Sequence, residues 1–285
     1  MTAPLRPQTM ALPRTRGGIC YAERAGSGPA IVFLHGIGSN AGSFAQVFER
    51  VAQPYRLIAW NAPGYGGSAA LVEDWPSAAD YARALEVFLD DLGIASCILV
   101  GHSLGTLIAA AFAQANPERV SHLVLAACAQ GYGVTDPAQM PAGVAKRITD
   151  LKLLGPDVFA KTRAARLVHA PDAAPEVVAR VEAAMAQVDP LGYPQAVRML
   201  ARGDLSATMA QVKTQCSFII GAQDVVTPEA QTIAAAQAWA GPRAMPTITR
   251  IAEAGHAVYV QKPDAFVAAL QEALAPAPNP IGDLK

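Results

Sequence analysis

The sequence predicts an α/β fold, a mostly parallel sheet flanked by helices and interrupted by one helical insertion. Three observations carry that expectation. Short apolar runs alternate with helical stretches from about residue 19 to 129, the spacing of a parallel sheet covered on both faces. The alternation stops near Gln130 and resumes near residue 203. The 285 residues are 52% apolar and 16% charged, which is enough apolar surface to offset ordering entropy and build a large core without disulfide or metal staples. The expected division is a core of residues 1–129 and 203–285, with an insertion of residues 130–202.

The elements follow in order. The leader MTAPLRPQTMALPRTR is interrupted by prolines and lacks an apolar run, so it resembles neither a signal peptide nor a membrane anchor. ICYAERAGSG reads as a short strand ending in a turn, and AIVFLHG as a buried strand closed by glycine. The helical stretch SFAQVFERVA leads to the strand YRLIAW and the Gly/Pro loop NAPGYGGS. A helix with a charged face, SAADYARALEVFLDDLG, precedes the strand CILVG; a helix after Ser103 precedes the strand SHLVLAAC. Helical or proline-punctuated segments fill the insertion. The core resumes with CSFIIGAQD, a helix from Pro228, the strand TITRIAEAGH and the helix PDAFVAALQEALA, before a tail expected to fray.

Charge and cysteine usage narrow the function classes. Twenty-two basic side chains balance 23 acidic ones, so no general attraction to phosphate or anionic lipid is expected. The expected partner is a small molecule, not nucleic acid or membrane, and the sequence leaves a homo-oligomer open. Residues Gly93 to Pro117 contain no Asp, Glu, Lys or Arg and could imitate a membrane span, but glycines divide that stretch into a β-rich and an alanine-rich half. Cys20, Cys97, Cys128 and Cys216 show no C-x-x-C and no ligand-like clustering, which reads as buried free thiols in a reducing compartment. The cytoplasm is the expected location. No cofactor and no metal is expected.

Gly101-His102-Ser103-Leu104-Gly105 matches G-x-S-x-G. A chain that leaves a strand and at once enters a helix turns so sharply that the central residue is strained and its neighbours two positions away must be small. Three fixed residues would occur by chance in a chain this long about one time in ten, so the context decides: a β-run precedes Ser103 and a run of helix formers follows it. The helix N-terminus also aims partial positive charge where an oxyanion would develop.

A serine hydroxyl needs a general base oriented by a third group. Of the five histidines, His256 alone lies beyond the last core strand, in a glycine-preceded loop. His122 and His169 read as structural, and His102 is expected to pack or hydrogen-bond beside the strands, because adjacent residues on a tight turn point apart. Asp224, just past CSFIIG, lies at the same sheet edge as Ser103 and is the expected acid; Asp136 is the alternative. The order Ser103, Asp224, His256 is that of α/β-hydrolase triads.

Gly36-Ile37-Gly38-Ser39-Asn40-Ala41 formally matches the dinucleotide fingerprint G-x-G-x-x-A. That fingerprint expects an acid at the end of the next strand, where this chain has Trp60-Asn61-Ala62. The preferred reading makes the loop one half of an oxyanion hole, with the Ile37 and Leu104 amides converging on one oxygen and with His35 and Gly36 as substrate-binding candidates. In the insertion, Arg198 and Arg202 are spaced i, i+4, so they share a helix face. They are candidates for pairing with a substrate carboxylate, against the plainer reading as solvated surface residues.

With these motifs assembled, the chain resembles the α/β-hydrolase fold superfamily from about Ile19 to Leu274. The resemblance rests on His35 to Gly38, Asn61 to Ser68, Gly101 to Gly105, Gly221 to Asp224 with Pro228, and Gly255-His256. It implies hydrolysis through an acyl-enzyme and a helical cap inserted after the sixth strand. Members commonly carry Glu where this chain has Gln261; that position reads as structural, with no loss of activity expected. Carbon–carbon bond hydrolases of the superfamily usually follow the catalytic histidine with tryptophan, where this chain has Ala257. Superfamily members that use an aspartate nucleophile do not fit Ser103.

The leading expectation is a serine hydrolase of a small ester, lactone or related carbonyl compound, in the catabolism of aromatic or cyclic acids. The alternatives are a C–C hydrolase of vinylogous diketones, a cofactor-free perhydrolase or acyltransferase, and a slow-turnover ligand sensor.

Overall fold

A computed structural model describes residues 14–15, 17–241 and 244–275. The proline-rich leader up to residue 13 and the tail from residue 276 lie outside the described residues. Seven strands form one sheet: β1 (Tyr21–Arg24), β2 (Ala30–Leu34), β3 (Arg56–Trp60), β4 (Cys97–His102), β5 (Val120–Ala126), β6 (Cys216–Gly221) and β7 (Ile248–Ile251). Their spatial order is β1-β3-β2-β4-β5-β6-β7. Only β1 runs antiparallel, against β3, and the other five pairings are parallel. Strands β2, β4 and β6 are buried along their whole length, because helices cover both faces, and this is why they read as continuous apolar runs.

In the core the helices are α1 (Ala45–Arg50), α2 (Ala78–Asp91) and α3 (Leu104–Ala115). The insertion carries α4 (Ala142–Lys161), α5 (Pro175–Met185) and α6 (Gly192–Arg202). The core then continues with α7 (Leu205–Met209), α8 (Glu229–Ala240), α9 (Val258–Gln261) and α10 (Pro263–Leu274). The ring of Phe88 on α2 packs against Tyr21 and Trp60, tying that helix to the antiparallel edge. On the opposite face Phe33 packs against Phe44 and Phe48, beside Tyr259 stacked on Phe44.

The two ends of the insertion meet. Gly131 bridges to Asp204, the Gly133 amide donates to Gly203 O at 2.8 Å, and the Val134 amide donates to Ala201 O at 2.9 Å. Within it, α4 is broken at Gly155, whose φ of 70° departs from the helix just before Pro156; proline removes a helical donor and clashes with the preceding turn. One expectation is corrected. Among the described residues the insertion follows the fifth strand, not the sixth, because a single antiparallel strand precedes β2 and only the isolated bridge Arg14–Cys20 lies before it.

The four cysteines are buried and none forms a disulfide, and burial pushes the Cys97 and Cys128 thiols up to about 12. No helix among the described residues is long and apolar enough to cross a membrane.

Candidate active site

Ser103 sits between β4 and α3 with φ 53° and ψ −117°. A side chain in that region is strained, and the glycines of the motif make room for the turn. A Cβ on Gly105 would lie 2.3 Å from Leu34 O, and one on Gly101 would lie 2.5 Å from Gly105 O. The hydroxyl is thereby held over the C-terminal ends of the strands. Ser103 Oγ donates to His256 Nε2 at 3.0 Å, and His256 Nδ1 donates to Asp224 Oδ2 at 2.8 Å. The proton on Nδ1 leaves Nε2 as an acceptor, the tautomer a base needs.

Asp224 is held by the turn that follows β6. Its Oδ1 accepts from the Val226 and Thr227 amides at 2.7 and 3.0 Å, and its Oδ2 from Thr227 Oγ1 at 2.8 Å. Burial pushes the carboxyl up, but the hydrogen bond and charge of His256 and the Thr227 and Val226 amides outweigh it and hold it below the usual carboxylate range. Asp136 is exposed and caps a short turn through the Ala138 amide at 3.0 Å. It has no part in this arrangement.

The loop after β2 approaches Ser103 from the other side. A Cβ on Gly36 would lie 3.0 Å from Ser103 Cβ. Three bonds fix this loop: His35 Nδ1 donates to Gly36 O at 2.8 Å, Tyr65 Oη to Ile37 O at 2.7 Å, and the Ser39 amide to Gly36 O at 3.1 Å. His35 Nε2 accepts from the Ala62 amide at 3.0 Å. With both ring nitrogens taken by backbone, His35 is a strut of the loop and has no nitrogen left for a substrate. Burial lowers its pKa to about 4, keeping it neutral. Leu104 opens α3, where the first N–H groups have no intrahelical acceptor.

The His102 ring packs beside that of His256, with 5.0 Å between centroids. Its Nε2 donates to His256 O at 2.8 Å, and its Nδ1 has no protein partner. Burial first, then the neighbouring His256, lowers its pKa to about 3. His122 pairs with Ser217 Oγ at 3.0 Å inside the sheet.

Residues 31–269 match the Alpha/beta hydrolase family. This protein is an α/β-hydrolase. A pimeloyl-[acyl-carrier protein] methyl ester esterase of Chromobacterium violaceum is 28% identical over 259 residues, 89% of this chain and 97% of the esterase. A 2-hydroxy-6-oxo-6-phenylhexa-2,4-dienoate hydrolase of Burkholderia cepacia is 39% identical over 109 residues, 37% of this chain and 38% of that protein. The match covers about a third (33%) of the length of the mycobacterial relatives. The solved enol-lactonase of Burkholderia xenovorans LB400 superimposes with a TM-score of 0.79 at 21% identity, covering 91% of this chain and 98% of that one. That last likeness is one of fold.

The hydrolase has a cavity of about 800 Å³ bounded by Gly36–Asn40, by the α5 residues Arg180 to Ala184 with Gln187 just beyond, and by His102, Ala257 and Tyr259. Among the described residues Arg180 is the one charged side chain on its wall. Ser103 and His256 do not line it and are only 6% and 4% exposed. Both residues are therefore buried apart from this cavity. Arg198 and Arg202 line nothing here. Arg198 binds Asp74 through its backbone oxygen at 2.8 Å and its carboxylate, and Arg202 donates to Trp75 O at 2.7 Å. They brace the 71–75 loop, which corrects their placement as substrate-binding candidates. Among the described residues no cluster of His, Cys, Asp or Glu could hold a metal ion.

Thr227 escapes the motif reading, and so do the partners of Gln261. Thr227 touches both Asp224 and His256, with its hydroxyl 3.1 Å from His256 Nδ1. The run Asp224-Val225-Val226-Thr227-Pro228 carries a signal for it, since Asp side chains accept from backbone two and three residues on. Gln261 grips Gly255 and His169, and no local pattern points to His169.

Proposed function

We propose that this α/β-hydrolase cleaves a small carboxylic ester or lactone through an acyl-enzyme on Ser103. The observation that carries the reading is the continuous path Ser103 Oγ to His256 Nε2 at 3.0 Å and His256 Nδ1 to Asp224 Oδ2 at 2.8 Å, starting from a serine in a strained turn. Ser103 Oγ attacks the carbonyl carbon as its proton passes to His256 Nε2. The carbonyl oxygen becomes an oxyanion, received by the Ile37 and Leu104 amides at the helix N-terminus. His256 returns the proton to the departing alkoxide, and water, activated by the same imidazole, then releases the acid. Asp224 holds the tautomer and stabilises the imidazolium.

Ester cleavage is favoured over C–C cleavage because Ala257, not tryptophan, follows His256, while the esterase relative is matched over 97% of its length. The test is a screen of short esters, lactones and vinylogous diketones, with intact-mass detection of a +acyl adduct on Ser103. Turnover of esters with an adduct lost in Ser103→Ala supports the reading. Turnover that survives Ser103→Ala overturns it.

A further inference from the structure

We propose that Gln261 is a positioning residue that ties the base loop to the helical insertion, and that it does so as an amide, in a way the commoner carboxylate could not. This rests on the reading of Ser103, Asp224 and His256 as a hydrolytic triad.

Gln261 closes α9, the single turn that follows His256. Its Oε1 accepts from the Gly255 and His169 amides, both at 2.9 Å, and its Nε2 donates to His169 O at 2.8 Å. One side chain therefore binds the residue before the base and the insertion segment beside it. The residue after the base is held by the same segment, the Ala257 amide donating to Leu167 O at 2.9 Å. Contact is as close as backbone allows, since a Cβ on Gly255 would lie 2.7 Å from His169 N and 2.8 Å from Leu167 O. The residues on both sides of His256 are thus tied to residues 167–169 of the insertion.

The chemistry of the junction selects the amide. It presents two N–H donors and one carbonyl acceptor, and a glutamine side chain offers one acceptor oxygen and one donor nitrogen in complement. A carboxylate would satisfy the two N–H groups, but its second oxygen would face His169 O at hydrogen-bond distance with no proton between them. Position 261 with glutamate is therefore one proton short. Taking up a proton restores the missing donor.

The test compares wild type, Gln261→Met and Gln261→Glu as full-length chains, using p-nitrophenyl acetate turnover from pH 5.5 to 8.5 and hydrogen exchange at the Gly255 and His169 amides. In Gln261→Met both amides exchange faster, and kcat falls on the order of tenfold with little change in KM, because the base is misplaced without loss of substrate contacts. In Gln261→Glu the kcat ratio to wild type is low at pH 8.5 and rises as pH falls. The titratable groups around this junction are His169, His256, Asp224 and the surface pair Lys262–Glu253 at 3.3 Å. All are present in wild type, so the ratio cancels their titration to first order.

A flat ratio near one in Gln261→Glu overturns the proposal, and this variant decides even if Gln261→Met does not fold. A wild type that neither turns over the ester nor labels at Ser103 with a fluorophosphonate fails the hydrolase reading instead. In that case the amide exchange still decides whether the clamp exists: rates unchanged in Gln261→Met defeat it.

Discussion

Thr227 Oγ1 stands 2.8 Å from Asp224 Oδ2 and 3.1 Å from His256 Nδ1, so one hydroxyl borders both the proposed acid and the proposed base. It also lies 3.1 Å from Ala127 O. A hydroxyl has a single proton to give, and donating it to the carboxylate leaves an oxygen lone pair facing the Nδ1 proton. Thr227→Val keeps the shape and deletes that oxygen. The expected outcome is a fall in kcat/KM on the order of tenfold, as a charge-assisted bond is lost, with recovery in Thr227→Ser. Equal rates in the valine variant and wild type would show that the hydroxyl serves packing alone.

Ser103→Ala should leave the far-UV spectrum and Tm close to those of wild type and abolish ester turnover. Asp224→Asn should lower kcat on the order of 10⁴-fold, by analogy with triads in which the wrong histidine tautomer is stabilised. Asp136→Asn, at an exposed cap, should change little. A crippled Asp136→Asn beside an active Asp224→Asn would reverse the assignment.

Arg198 and Arg202 are placed as braces for the 71–75 loop. Replacing each with Met should lower stability by about 1 kcal/mol or less, the usual scale for exposed ion pairs and hydrogen bonds. It should alter kcat/KM for an acidic ester and its neutral analogue by the same small factor. A selective loss for the acidic substrate would move these arginines back to the site.

Acid should destabilise the fold through two buried histidines. His35 and His102 take up protons only near pH 4 and 3 in the folded chain, against about 6.5 when unfolded. As pH falls from about 6.5 toward 4, the unfolded chain binds protons that the folded chain refuses, so stability drops by up to about 1.4 kcal/mol per pH unit for each histidine. The loss levels off once both forms are protonated. Urea midpoints from pH 7 to 4.5 should show the decline, and His102→Gln should make it shallower. A midpoint independent of pH in that window is the contrary result.

What was legible in the sequence was the chemistry that short segments impose on themselves. The strained serine needs a strand, a tight turn and a helix within a few residues, and Asp224 and His256 each follow a strand. Parallel strands bring such ends to one edge, so three local readings point to one place. The pieces that stayed hidden depend on contacts between distant segments. Gln261 meets His169 across the join of core and insertion, and nothing near either residue encodes the other. The i, i+4 spacing of Arg198 and Arg202 sets a common face but not the rotation of α6, and that rotation turns them toward Asp74 and Trp75. The strand count failed for a related reason, since the resemblance carried a second leading strand where the described residues show only the Arg14–Cys20 bridge.

The meeting of the insertion's two ends at Gly131 and Asp204 makes the helical segment an exchangeable cassette. A replacement of different length need only bring its ends to the same pair, and lengthening a closed loop costs little, about 0.6 kcal/mol per doubling. The sheet, the serine turn and the turn that carries Asp224 would be left as they are. A transplanted cassette would nevertheless have to supply one donor and two acceptors to the loop of His256, as residues 167–169 do here. Exchange is thus limited by that short stretch of backbone and by the braces that Arg198 and Arg202 lend the 71–75 loop.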